Sequence, residues 1–309
     1  MRIFAKVPNI NFMAQRRTGL WVSSLLSLGV ILLLLFRSLN FGIDFTGGVL
    51  VEVVYPQNVE LDSVRQDLNV GGYHNPIVQY FGGNKEVLIR LAPEDKASSS
   101  AISANVLQAL GAEQKGVQLR RIEFVGPQVG DELTVNGSLA MVFAFIGIAL
   151  YIMFRFEWKF AIGAIAALIH DALMVLGFLS IFRVEFDLTT LAAILALIGY
   201  SNNETIVIFD RVRENLINQR KGTIYDVVNL SVNQTLLRSI ITHVTTLLVC
   251  TALFLLGGPS VHSFSISMIV GVIVATYSSI YVSTGLAVAL GVSREDLLPP
   301  EVKEIDEMP

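Results

Sequence analysis

Six long apolar stretches set the plan of the chain, at residues 19–36, 135–154, 160–182, 188–209, 240–256 and 264–290. Each runs near the length that carries a helix across a bilayer, about 20 residues with a range of roughly 17–25. The second opens on a polar turn, Asn136-Gly137-Ser138. The fifth is short, and the sixth is long enough to tilt. The pattern predicts a polytopic α-helical membrane protein with six transmembrane helices and one folded α+β domain, external to the bilayer, between helices 1 and 2. The expected division is a cytoplasmic N-terminus at 1–18, helix 1 at 19–38, the α+β domain at 39–134, helices 2–6 at 135–290 and a cytoplasmic tail at 291–309.

The pattern changes after Asn40. Residues 49–55 are rich in β-branched side chains, which predicts a strand. Residues 59–70 place Val59, Val64 and Leu68 near helical spacing. Strands are expected at 77–81 and 86–91, joined by the turn Gly82-Gly83-Asn84 as a hairpin. A helix at 97–110 and a strand at 117–125 complete the order β-α-β-β-α-β, the ferredoxin-like arrangement. Nothing in this insert forms a catalytic cluster; His74 stands alone in a loop. A binding or lever module fits better than an enzyme.

Composition supports the bilayer. Hydrophobic residues make up 53% of the 309 residues and charged residues 16%, against about 25% charged in soluble domains. The net charge of -4 gives no reason to expect nucleic acid as a partner. The single cysteine, Cys250, excludes an intrachain disulfide and a cysteine-based zinc site. No cofactor is expected, and no Gly-x-x-x-x-Gly-Lys loop occurs. The basic N-terminus ahead of the first stretch reads as an uncleaved signal anchor. Lysine and arginine in short loops set orientation. They gather on one side: Arg2, Lys6, Arg16, Arg17, then Arg155 and Lys159, then Arg211, Arg213, Arg220, Lys221 and Arg238, then Arg294 and Lys303. The other side's short segments hold Arg37 and Arg183. Both termini are therefore expected in the cytoplasm and the insert outside.

Three segments and one lone residue, Arg238, carry candidate chemistry. Residues 198–215 read Ile-Gly-Tyr-Ser-Asn-Asn-Glu-Thr-Ile-Val-Ile-Phe-Asp-Arg-Val-Arg-Glu-Asn, with Ser201 to Glu204 inside the fourth stretch. A carboxylate in a bilayer costs at least about 2.5–3.5 kcal/mol and marks a proton or ion path by default. Glu204 lies about 9 Å above Asp210 along the helix, and Tyr200, Glu204, Val207 and Arg211 share one face. Structural pairing of Glu204 with Arg211, or snorkelling, is the plainer alternative. Arg238 is expected to open helix 5 within reach of Glu204, or to serve only as a positive-inside anchor. His170-Asp171, in mid helix 3, must face protein or water; polar support of helix packing, which Asn203 would share, is the bland reading. Residues 41–48, Phe-Gly-Ile-Asp-Phe-Thr-Gly-Gly, place Asp44 at the membrane boundary, either as a functional group or in a solvated turn.

Together with Arg-Ile-Glu-Phe-Val-Gly-Pro (121–127) and Phe-Arg-Phe-Glu-Trp (154–158), these motifs resemble the SecD/SecF family of protein-export subunits within the resistance-nodulation-division superfamily, and its smaller SecF-type member. The resemblance runs from about Phe41 to Leu290. It implies a bacterial inner-membrane subunit, not an enzyme, that joins SecD and uses the proton-motive force to assist export through the Sec pathway. Implied partners are SecD, the SecYEG translocon, SecA, YajC, YidC and unfolded secretory proteins. By motif, Glu204 takes the place of the proton-carrying carboxylate and Arg238 that of the relay arginine. The family usually has Asp there, after Leu-Asn or Ile-Asn; this chain has Asn-Asn-Glu. Asp44, Gly47, Gly48, Gly199, Tyr200, Ser201, Asp210, Arg211, Arg213, Glu214 and Asn215 fall on family signatures. Three rivals remain: an intramembrane serine protease using Ser201 and His243, a proton-driven small-molecule or lipid exporter of the superfamily, and a passive scaffold of the translocon.

Overall fold

The computed structural model describes residues 8–73, 76–81, 83–92, 99–219 and 222–297. His74 and Gly82 of the expected hairpin region lie outside the described residues. Among the described residues, six helices have the length and composition of membrane spans. They are α1 (Arg16–Arg37), α6 (Pro127–Arg155), α7 (Trp158–Phe182), α8 (Leu188–Asn218), α9 (Ile224–Leu256) and a sixth span built from α10 (His262–Ser278), a π-helical turn (Ser279–Ser283) and α11 (Thr284–Ala289). The helices α7, α8 and α10–α11 are central, with about half of each buried, while α1, α6 and α9 are peripheral.

Small residues let the central helices approach closely. A Cβ at Gly163 would lie 2.5 Å from the Ser283 carbonyl, and one at Gly271 would strike Leu197. The π-helical turn faces Gly163 of α7; such single turns occur mostly inside helices at functional places.

Two helix starts differ from expectation. The second span begins at Pro127 rather than at residue 135, because proline after Gly126 supplies a pre-set first turn. The polar turn Asn136-Gly137-Ser138 stays helical: Gly137 faces Leu191, and Ser138 donates to the Thr134 carbonyl at 2.7 Å. The fifth span begins at Ile224, where Thr223 and Asp226 form a reciprocal capping box. Arg238 therefore lies well inside α9 and does not open it.

Between α1 and α6 sits the α+β domain. Its strands are β2 (Gly48–Val54), β3 (Ile77–Tyr80), β4 (Glu86–Leu91) and β5 (Gln118–Val125), antiparallel in the order β3-β4-β2-β5. The helices are α3 (Leu61–Val70), α4 (Ser99–Ala109) and the short α5 (Ala112–Lys115). The expected ferredoxin-like order holds. Alternation explains the packing: Val49, Val51, Val53, Val87 and Ile89 face the helices, against Val64, Leu68, Ile102, Val106 and Leu110. The opposite face carries Leu50, Glu52, Leu88 and Arg90, and it is buried too. A register shift between Glu52 and Val53 in the β2–β5 ladder leaves Arg120 without an opposed residue. Arg120 ion-pairs with Glu52 at 3.3 Å and Glu86 at 2.8 Å.

The seam between the domain and the bundle is a two-residue parallel pair, β1 (Asn40–Phe41) with β6 (Glu185–Phe186), and one helical turn, α2 (Ile43–Thr46). So short a pair leaves no periodic signal in sequence. Gly47 follows at φ 66° and Gly48 at φ 124°, a region open to glycine and costly to residues with a Cβ. A Cβ at Gly47 would also lie 3.1 Å from Pro127 Cα. Gly47→Val is expected to cost about 1–3 kcal/mol, read as a lower thermal midpoint in detergent. Gly29→Ala, on an open helix surface, is expected to leave that midpoint in place.

Candidate functional site

The polar run of α8 turns into the bundle. Ser201, Asn202, Glu204 and Thr205 are buried, while Asn203 is exposed on the helix's outer side. Two carboxylates are met by hydroxyls. Asp171 on α7 accepts from Ser201 at 2.5 Å and from Ser278 on α10 at 2.8 Å, and its other oxygen lies 3.1 Å from His170 Nδ1. Glu204, 7% exposed, accepts from Ser239 on α9. One turn of α8 thus bonds α7 and α9 directly and meets α10 through Asp171. Asn202 Oδ1 and Thr205 Oγ1 are buried with no hydrogen-bond partner among the described residues, which makes this stretch polar beyond what its packing uses.

The expected meeting of Glu204 and Arg238 is not formed. Arg238 is exposed on α9 and makes no ion pair among the described residues. Ser239 takes the inward place instead, since adjacent helical residues point about 100° apart. The alternative partner, Arg211, is engaged elsewhere: it pairs with Glu214 at 2.5 Å and donates to Gln234 at 2.5 Å. Asp210 pairs with Arg155 of α6 at 2.6 Å and lies 3.9 Å from Arg213. Asn215 donates to Ser231 and Gln234 on α9 at 2.8 Å each. The 210–215 signature therefore ties α8 to α6 and α9. Gly199 meets nothing within 4 Å that a Cβ would touch. The protease arrangement is absent: Ser201 bonds Asp171 of α7, while His243 contacts Thr276 of α10.

Asp44 holds the start of α8. Its Oδ2 accepts from the backbone of Leu188 at 2.9 Å, beside the N-cap Asp187, which accepts from Thr190 at 2.7 Å. Carboxylates suit a helix N-terminus. Burial raises the Asp44 carboxyl above its usual range, partly offset by that backbone bond. Next to it, Arg90 of β4 donates to the Phe41 carbonyl at 2.7 Å and pairs with Glu185 at 3.0 Å. Glu185 is raised by burial, against the lowering effect of Arg90. Arg90, Glu185, Ser239 and His243 were not singled out for these roles from sequence. The visible signal was a charge within an apolar strand, Glu86-Val87-Leu88-Ile89-Arg90-Leu91.

Fold and site together define a multi-pass helical membrane protein with an α+β domain after its first span and carboxylates buried in its bundle. Residues 105–293 match the family model for the C-terminal part of the protein export membrane proteins SecD/SecF, and residues 32–57 match the SecD/SecF GG motif. The chain belongs to the SecD/SecF family. The protein translocase subunit SecF of Pseudomonas aeruginosa is 46% identical over 98% of this chain and 99% of its own length. That of Vibrio alginolyticus is 44% identical over 100% and 99%. The crystal structure of SecDF, a translocon-associated membrane protein from Thermus thermophilus, aligns at TM-score 0.85 and 35% identity. It is matched over 93% of this chain but only 39% of its own. A Sec-associated role in the bacterial inner membrane follows from these relatives.

The seam titrates in a defined direction. Asp44 and Glu185 both bind protons more tightly when buried. Their contribution to stability is therefore full below the ordinary carboxylate range and is lost as pH rises through the raised values. The thermal midpoint should climb as pH falls toward the ordinary carboxylate range, and Glu185→Gln should flatten that climb. Arg90→Ala, which leaves Glu185 without its cation, should cost about 3–5 kcal/mol, read as earlier unfolding and faster proteolysis of the α+β domain.

Proposed function

We propose that this chain, paired with a SecD-type subunit, uses the proton-motive force to assist protein export through the Sec translocon. The observation that carries the reading is Glu204, a carboxylate buried at the junction of α8 and α9 and held there by one serine hydroxyl. A group so placed can load a proton from one side and release it to the other. One charge crossing 100 mV is worth about 2.3 kcal/mol, enough to bias a two-state element whose conformers differ by a few kcal/mol.

In this reading both termini face the cytoplasm and the α+β domain faces the periplasm. The partner is argued from polarity: Asn203 and Arg238 are exposed beside the Glu204–Ser239 contact. Bare lipid is a poor neighbour for either, so this face receives the SecD-type helices, and Arg238 acts in the relay across that junction. The SecYEG channel and SecA lie upstream, and YajC and YidC belong to the same assembly. The emerging secretory chain is received by the α+β domain. A cleft of about 690 Å³ between the edge strand β3 and the outer ends of α7, α9 and α10, lined by Tyr80, Phe81, Phe182 and Phe254, suits an extended polypeptide.

The test is proton-gradient-dependent secretion in vesicles holding the chain and its partner. Glu204→Gln should abolish the stimulation while leaving assembly intact, and Glu204→Asp should keep part of it. Full stimulation in Glu204→Gln would point to a passive scaffold.

A further inference from the structure

His243 is a second buried titratable group in the same region, and the Glu204–Ser239 contact does not use it. It lies one turn beyond Ser239 on α9, toward the side that carries the α+β domain. Because α8 runs the opposite way, Tyr200, one turn before Glu204, reaches the same level. The Tyr200 and His243 ring centroids are 5.5 Å apart. His243 is 4% exposed and within electrostatic range of Glu204.

The partners of its ring fit one tautomer. The Thr276 hydroxyl donates its single hydrogen to the Val272 carbonyl at 2.8 Å, so toward His243 Nδ1, 3.1 Å away, it accepts. In that tautomer Nδ1 carries the hydrogen and Nε2 the lone pair. Nε2 is buried and has no hydrogen-bond partner among the described residues. A buried acceptor left open is costly when it serves packing alone. Metal ligation has no support, for no group of three or more His, Cys, Asp or Glu that could hold an ion occurs among the described residues. The ionisable groups of the elements packed on His243 are few. The polar run of α8 offers Glu204 and Tyr200. The face of α10 next to it presents Thr276, and α11 has none. On α9 itself, Arg238 points outward and Cys250 lies two turns on. Glu204 is thus the one acidic group near His243 with which it can exchange a proton near neutral pH.

We propose that His243 is the proton-handling residue on the α+β-domain side of Glu204, taking a proton from water at Nε2 and handing it to the Glu204 carboxylate. In the first step an O–H bond of a hydronium ion on the α+β-domain side breaks and leaves water, Nε2 gains an N–H bond and the ring becomes cationic. In the second that bond breaks, an O–H bond forms on Glu204, and the ring returns to neutral with Nδ1–H still on Thr276. This rests on the reading of Glu204 as a proton carrier.

The test uses the chain with its partner subunit in vesicles, comparing wild type, His243→Gln and Glu204→Gln across the pH of the α+β-domain side. His243→Gln should lower gradient-driven export at least about tenfold and displace its acid limb. Wild-type rate and profile in His243→Gln, with Glu204→Gln inactive, would overturn the proposal and spare the proton-carrier reading. Wild-type behaviour in Glu204→Gln would overturn both. Nitrogen NMR of ring-labelled His243 in the wild-type complex gives a readout independent of export. Its titration should move in Glu204→Gln, and an unmoved titration would overturn the coupling even where His243→Gln fails to assemble.

Discussion

A carboxylate inside an apolar bundle has to be met by donors, and much of the core follows from that requirement. Asp171 and Glu204 draw on Ser201, Ser278, Ser239 and His170. Those donors come from α7, α8, α9 and α10, so the four helices cannot slide past one another without orphaning a buried charge. Close approach is then needed as well, and Gly163 and Gly271 permit it where a Cβ would collide. With lipid as apolar as leucine, such polar ties and small-residue contacts hold membrane helices together.

Much of this was legible from residue order. The spans, the β-α-β-β-α-β domain and the buried Glu204 each follow from a periodicity or from a charge in the wrong solvent. The miss at Arg238 has a simple geometric cause. Residue 238 and residue 239 differ by a 100° turn, and on α9 it is the serine, not the arginine, that turns inward. A positive charge draws the eye in a sequence and a serine does not. The role of His243 was hidden for a related reason. Its ring contacts Thr276 on another span, and no spacing within α9 encodes that contact. The seam at Asn40–Phe41 and Glu185–Phe186 joins segments far apart in the chain through two residues each.

The seam also explains why a signature at the end of the first span matters to the fourth. Asp44 fixes the N-terminus of α8, Arg90 fixes β4 to the same turn through Glu185, and Gly47 and Gly48 let the chain bend sharply between them. Displacement of the sheet must therefore either break a buried ion pair or carry the start of α8 with it. A helix is stiff along its axis. Axial movement at Leu188 reaches Glu204 about 24 Å away with little loss.

The magnitudes favour transmission over independence. Breaking a buried pair by removing one member costs about 3–5 kcal/mol, while a proton moving down 100 mV supplies about 2.3 kcal/mol. One proton step is thus too small to strip the α+β domain from the bundle, yet large enough to shift a balance between two seated positions. Tilting as a unit would keep the partners of Arg90, Glu185 and Asp44 through a small rotation. On the proposed reading, the work passed to a secretory chain is delivered by that rocking, with α8 as the lever and the Asp44 cap as its pivot.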